Sequence, residues 1–292
     1  MGASPCPLYG RRPPAVPQAA VGGGALPPAR RWLADAGGGY GTGGGGRLSA
    51  GGGWVSAGAH PKRPCGYRAR GGGKIQVGVA VRKLQANTPE QIQHAIQQAS
   101  EVLAQGGLVI FPTETVYGLA ADALSEGAVR RVWEVKGRPS DKPLPVQVAN
   151  VEGLRLLWRE VPEDLLPLID AFMPGALTLV YWRSALVPDI VTAGADTVGV
   201  RIPDHPVAQE LLKAFQRPIV APSANLSGDP PPSRVEQIPP ALLDAVDLVI
   251  DAGDTGGGVP STVLDVTVRP ARILRAGALA IHELQRYIDV TV

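Results

Sequence analysis

Residues 1–73 carry 21 of the chain's 37 glycines, in runs of three or four at 22–24, 37–39, 43–46, 51–53 and 71–73. Backbone so free of side chains loses more entropy on folding than its few apolar contacts can return. The same stretch holds nine Lys or Arg and a single acid, Asp35, so its net charge is +8. The remaining 219 residues then carry −6, and the near-neutral balance of the whole chain is a cancellation between unlike halves. The sequence therefore predicts a disordered Gly/Pro/Arg-rich tail over 1–76 and one folded domain over 77–292. Two readings of the tail stand side by side. Its Arg-rich, acid-poor composition has the flavour of a transit peptide. The absence of Met between Met1 and Met173 fits instead a true start at a non-Met codon near Val77 or Val79. A G-x-G-x-x-G at Gly39, Gly41 and Gly44 follows no strand and opens no helix, so it carries no nucleotide reading. A basic tail that binds RNA without sequence preference is a third option.

The folded part excludes several chemistries. Both cysteines, Cys6 and Cys65, lie in the tail, which leaves the body no disulfide, thiolate site or cysteine nucleophile. His94, His205 and His282 are far apart in sequence, and none stands in a metal-ligand spacing. The expectation is that no protein side chain ligates a metal. No run approaches the roughly 20 apolar residues of a membrane span. A cytoplasmic protein is expected, or an organellar one if the tail is an address.

Thr88 followed by Pro89 and Gln91 reads as a capped helix start. Ile92, Ala95, Ile96, Ala99, Val102 and Leu103 form one apolar stripe, and Gly106-Gly107 ends the helix. Further helices are predicted over 126–135 and near 163–171, 205–215, 241–246 and 280–288. Strands are predicted at 108–111, 145–148, 177–182, 198–202, 219–221, 248–251, 262–266 and 272–274. The irregular alternation points to an α/β domain with a mixed, twisted sheet and flanking helices.

Three polar segments follow apolar runs, where ligands of open α/β sheets collect. They are Pro112–Gly118, Lys136–Pro143 and Ala221–Gly228. Lys136, Arg138 and Lys142 in a stiff Gly/Pro loop suit a phosphate, or else a solvated turn in which Lys136 complements a helix end. Ser223, Asn225 and Ser227 can bind a phosphate or ribose, or simply cap their own turn. Arg201 and Arg275 each end an apolar strand and point either to solvent or to an anion. The Gly256–Gly258 loop before Ser261 is a plain turn or a flap over a site. His205 looks like a helix-start residue, not a base. No G-x-S-x-G and no Walker A sequence is present.

Read together and in order, FPTETVYGLAADAL (111–124), KGRPSDKPLPVQV (136–148), PGALTLV (174–180), TVGVRIPDHP (197–206), PIVAPSANLSG (218–228), LVIDAG (248–253), STVLDV (261–266) and ILRAG (273–277) resemble the YrdC/Sua5 family of threonylcarbamoyl-AMP synthases. The resemblance covers nearly all of 85–290. It implies a YrdC-like twisted open sheet in a single domain. It implies a nucleotidyltransferase that makes threonylcarbamoyl-AMP and pyrophosphate from L-threonine, bicarbonate and ATP with Mg²⁺. The product would feed t6A modification of tRNA through a downstream threonylcarbamoyl transferase complex.

By motif position the resemblance assigns Lys136, Arg138, Ser223 and Asn225 as the catalytic signature. It assigns Arg138, Lys142, Thr197, Ser223 and Arg275 to ATP, and Thr115, Arg201, Ala221 and Ser261 to threonine. Two positions depart from the family pattern. Gln147 stands where many relatives have His, and Pro231 where they often have Ser. The chain ends soon after ILRAG, like the short single-domain branch. Direct tRNA contact, or a non-catalytic module for double-stranded RNA or tRNA, is the alternative reading, against which the acidic body speaks.

Overall fold

The structure is a computed structural model and describes residues 81–137 and 142–291. The expectations for residues 1–76, and the assignments of Arg138, fall outside those residues. The chain order is β1 (Arg82–Gln85), α1 (Pro89–Ala104), β2 (Val109–Phe111), β3 (Gly118–Asp122), α2 (Glu126–Lys136), β4 (Val146–Gln147), α3 (Val151–Leu157), α4 (Leu166–Phe172), β5 (Leu177–Trp182), α5 (Asp189–Thr192), β6 (Thr197–Arg201), α6 (Pro206–Phe215), β7 (Ile219–Val220), α7 (Pro240–Leu243), β8 (Leu248–Asp251), β9 (Thr262–Asp265), β10 (Ala271–Arg275), α8 (Ile281–Leu284) and β11 (Val290–Thr291). The strands form one open mixed sheet in the order β1-β8-β2-β3-β7-β4-β6-β5-β9-β10-β11.

Local chemistry sets the helix ends. Thr88 accepts from the Gln91 amide while the Gln91 side chain reaches back, which completes the capping box. His205 caps α6, its Nδ1 accepting from the Val207 amide at 3.2 Å. Gly137 ends α2 in the left-handed region at φ 54°, a conformation that glycine adopts without steric cost.

Strand alternation then builds two cores. Leu108, Ile110, Leu119, Ala121, Val220 and Val249 face α2 and the major core. Their neighbours Val109, Phe111, Ala120, Ile219, Leu248 and Ile250 face the opposite way, into a second core with α1 and α6. Alanines at 95 and 99 on α1 and 208 on α6 are fully buried there, so the two helices lie close.

That second face changes character past β7. Ile219 pairs with Gln147, Gln147 with Arg201, Gly199 with Val180 and Thr178 with Val263, so these residues share one side of the sheet. Val146, Val200, Leu179 and Leu264 point to the other side, into the major core. The sheet face roofed by α1 and α6 over its first strands thus continues as a polar concavity over β4, β6, β5 and β9.

Candidate active site

The concavity holds a cavity of about 330 Å³. Seven of the eleven residues nominated from sequence line it: Thr115, Thr197, Arg201, Ala221, Ser223, Ser261 and Arg275. Backbone hydrogen bonds bring their segments together. The Leu119 amide donates to Pro222 O at 2.8 Å, the Ala224 amide to Tyr117 O at 2.8 Å and the Ala221 amide to Pro145 O at 2.8 Å.

Arg201 is 5% exposed at the end of β6. Its Nε donates to Gly175 O at 2.9 Å and its Nη1 to Thr115 Oγ1 at 3.0 Å. Its Nη2 lies 2.6 Å from Glu114 Oε1 as an ion pair whose N–H bonds are not aligned with the oxygen. A guanidinium has five N–H groups, so the fork keeps donors for a carboxylate. Thr115 is held in turn, with Oγ1 2.9 Å from Thr113 Oγ1. Its carbonyl accepts from the Gly258 amide at 2.8 Å and from Thr255 Oγ1 at 3.0 Å. The Gly256–Gly258 loop is therefore clasped onto the turn between β2 and β3 that carries Thr115. A Cβ at Gly257 would sit 2.5 Å from Glu114 O, so only glycine fits there without a backbone shift.

On the far wall Ser261 Oγ is 2.8 Å from Thr178 Oγ1. Arg275 donates to Ser261 O from Nη2 at 2.8 Å and to Ser261 Oγ at 3.2 Å. The pairing of β10 with β9 slips between Ile273 and Arg275. Strict alternation would send Leu274 and Arg275 to opposite faces, and this irregularity lets both line the cavity.

Two of the four signature residues, Lys136 and Asn225, do not line the cavity and sit behind the Ser223 turn. Lys136 is 2% exposed, and its Nζ donates to the carbonyls of Ser223 and Asn225. Asn225 accepts from Ser223 Oγ through Oδ1 and donates through Nδ2 to Leu226 O at 3.0 Å and Asp229 O at 2.7 Å. Lys136 and Asn225 thus shape the turn that presents Ser223. Lys142 is exposed, next to the lining residue Pro143. The nominated Arg138 lies outside the described residues.

Gln147 is buried against the cavity, with Oε1 lacking a hydrogen-bond partner among the described residues. This amide offers an acceptor to the cavity. Pro231 lies apart, in a cleft with Asp229, Pro230 and Pro232. Thr178 and Glu114 were not singled out from sequence. Thr178 was detectable as a hydroxyl inside an apolar run, whereas nothing about Glu114 marked it beyond its place beside Thr115.

Burial shifts two nearby groups. The Tyr117 phenol is pushed up to about 12, chiefly by desolvation. Its hydroxyl donates to Gly253 O at 2.8 Å and accepts from the Ala252 amide at 3.2 Å. Desolvation also holds the His205 imidazole below the ordinary His value, against the opposing pull of the Glu114 and Asp204 carboxylates. Among the described residues no group of three or more His, Cys, Asp or Glu could hold a metal, and no helix is long and apolar enough to cross a membrane.

Comparison with known proteins places this geometry. The Sua5/YciO/YrdC family model, described as telomere recombination, matches residues 101–277. A threonylcarbamoyl-AMP synthase of Pyrococcus abyssi is 45% identical over 203 residues, covering 69% of this chain and 60% of that protein. One from Bacillus subtilis is 42% identical over 208 residues, covering 70% and 58%. The chain thus spans about three fifths of the length of these relatives. The crystal structure of Pyrococcus abyssi Sua5 complexed with L-threonine superposes with a TM-score of 0.68 at 41% identity, over 73% of this chain and 63% of that one. With more than half of its length matched by the family model and the cavity built from the family's own segments, this chain belongs to the Sua5/YciO/YrdC family.

Proposed function

We propose that the chain is a threonylcarbamoyl-AMP synthase, a nucleotidyltransferase that uses L-threonine, bicarbonate and ATP. The observation that carries this reading is the buried Arg201 fork at the cavity floor, with Thr115, Ser223, Ser261 and Arg275 around it. Relatives named for this activity at 45% and 42% identity support it.

In this reading the threonine carboxylate meets Arg201, and the hydroxyls of Thr115 and Ser261 and the Ala221 backbone read the rest of the amino acid. ATP lies toward Thr197, Ser223 and Arg275, with Arg138 and Lys142 reaching its phosphates. Among the described residues no Asp or Glu lines the cavity, so magnesium would arrive with ATP, on its phosphates. The threonine amine adds to the carbon of bicarbonate, with loss of water, and forms a carbamate. A carbamate oxygen then attacks the α-phosphorus, the bond to the bridging oxygen breaks, and pyrophosphate leaves. Both partners are anions, and the cations around the cavity offset their repulsion as charge moves onto the leaving group. Holding three reactants together supplies much of the remaining acceleration. Lys136 and Asn225 serve by fixing the Ser223 turn. The product would pass to a downstream threonylcarbamoyl transferase complex acting on tRNA.

The test is pyrophosphate release from ATP by the full chain, with and without L-threonine and bicarbonate. Release that requires both supports the synthase. RNA binding without turnover would replace it with the binding-module reading, which no observation in the structure favours.

A further inference from the structure

Glu114 has a position that the reaction leaves unexplained. Both of its carboxylate oxygens are enclosed, and neither has a hydrogen-bond partner among the described residues. The group lies 2.6 Å from Arg201 Nη2, yet it is absent from the cavity lining. Its backbone is fixed from outside by Gly257, where a Cβ would come within 2.5 Å of Glu114 O. The following carbonyl, of Thr115, is held by the Gly258 amide. The carboxylate thus pairs with the cation that lines the cavity without lining it itself.

We infer that Glu114 makes the cavity selective for a zwitterionic amino acid over a plain carboxylic acid. This rests on the reading that the carboxylate of an amino acid docks on Arg201. The physical basis is net charge. Arg201 alone would present a largely buried unit positive charge, and any small carboxylate would be drawn to it. Paired with Glu114, the same fork keeps its geometry while the pair itself is close to neutral overall. A ligand of net charge zero, whose ammonium group feels the Glu114 charge favourably, then gains over one that brings only a negative charge. Glu114 acts through this field and through Arg201, so it is a positioning and specificity residue and touches no reacting atom.

The experiment is calorimetric titration of the full chain with L-threonine and with its α-hydroxy analogue, 2,3-dihydroxybutanoate of matching stereochemistry. Wild type, Glu114→Gln and Glu114→Asp are compared, and threonine-dependent pyrophosphate release is measured on the same samples. Wild type is expected to prefer threonine. Glu114→Gln keeps the shape and removes the charge, and should move the affinity ratio toward the hydroxy acid by roughly tenfold. Glu114→Asp should restore most of the preference. A purely structural role would weaken both ligands together and leave the ratio alone. A ratio within about twofold of wild type in Glu114→Gln, where the field argument requires a tenfold change, overturns the inference, as does wild type that binds neither ligand. Threonine binding with the expected ratio shift but no pyrophosphate release would leave the inference standing and overturn the proposed function.

Discussion

Lys136 and Arg201 are both long cations taken out of water, at 2% and 5% exposure, and the fold uses them in opposite ways. The Lys136 ammonium is bound to two backbone carbonyls of the 223–225 turn, behind the cavity wall. Arg201 lines the cavity, with one backbone carbonyl, one hydroxyl and one carboxylate around its guanidinium. An ammonium is a compact charge with three donors, suited to gathering carbonyls. A guanidinium is a planar fork whose edges can be shared between the protein and a ligand. The lysine acts as a fastener and the arginine as a receptor, though each could have met an anion as far as its sequence neighbours tell.

The sharpest way to break that contrast is to change the receptor while keeping its charge. Arg201→Lys should lower pyrophosphate release at subsaturating threonine by about a hundredfold, or ~2.7 kcal/mol, an effect that excess threonine partly restores. A threonine response close to wild type would mean that the fork is not the receptor. Removing the fastener should show first in stability. Lys136→Met leaves two enclosed carbonyls without their donor, at about 1–3 kcal/mol. Melting should fall by on the order of 5 °C, with a loss of turnover that excess threonine does not rescue. An unchanged melting temperature would contradict the role given to Lys136.

The smallest effect concerns the segment between β2 and β3. Tyr117 keeps its proton to a higher pH in the folded chain than in the unfolded one, because burial disfavours the phenolate. The folded state therefore binds more protons between the ordinary phenol value near 10 and the folded value of about 12. Its contribution is fully present below the unfolded value and is lost as pH rises through that window. Stability measured by denaturant titration should fall there, and Tyr117→Phe should flatten the fall. An identical slope in the variant would remove Tyr117 from the account.

Elements whose causes are local were readable from sequence. The capping box and apolar stripe of α1 and the His205 start of α6 depend on neighbours within one turn, and each stands where it was expected. Elements that depend on distant partners were not readable. β3, Gly-Leu-Ala-Ala-Asp, has little strand propensity of its own and exists because β2 and β7 pair with its two edges. β1, Arg-Lys-Leu-Gln, is polar because it is an edge strand, and Lys83 there reaches Asp251 at 2.7 Å. α3 carries Gly153 in its interior, which hides its helical pattern. That glycine is there because a Cβ would come within 2.5 Å of the Val148 side chain.

The site divides along the same line. Residue chemistry alone raised Arg201, Ser223 and Arg275 as possible anion binders, the resemblance added Thr115, Thr197 and Ser261, and Thr178 went unnamed. Which way Arg201 and Arg275 point could not be settled from their neighbours in sequence, because each sits where a strand could face either side. Sheet register put Arg201 on the open face beside Gln147 and Thr178, and the irregular pairing of β10 turned Arg275 to the same hollow. The partnership of Glu114 with Arg201, 87 residues apart in the chain, likewise exists only once β2, β3 and β6 are in place. Local sequence fixes what a side chain can do, and long-range pairing fixes what it meets, because strand order and register join residues that no local pattern connects.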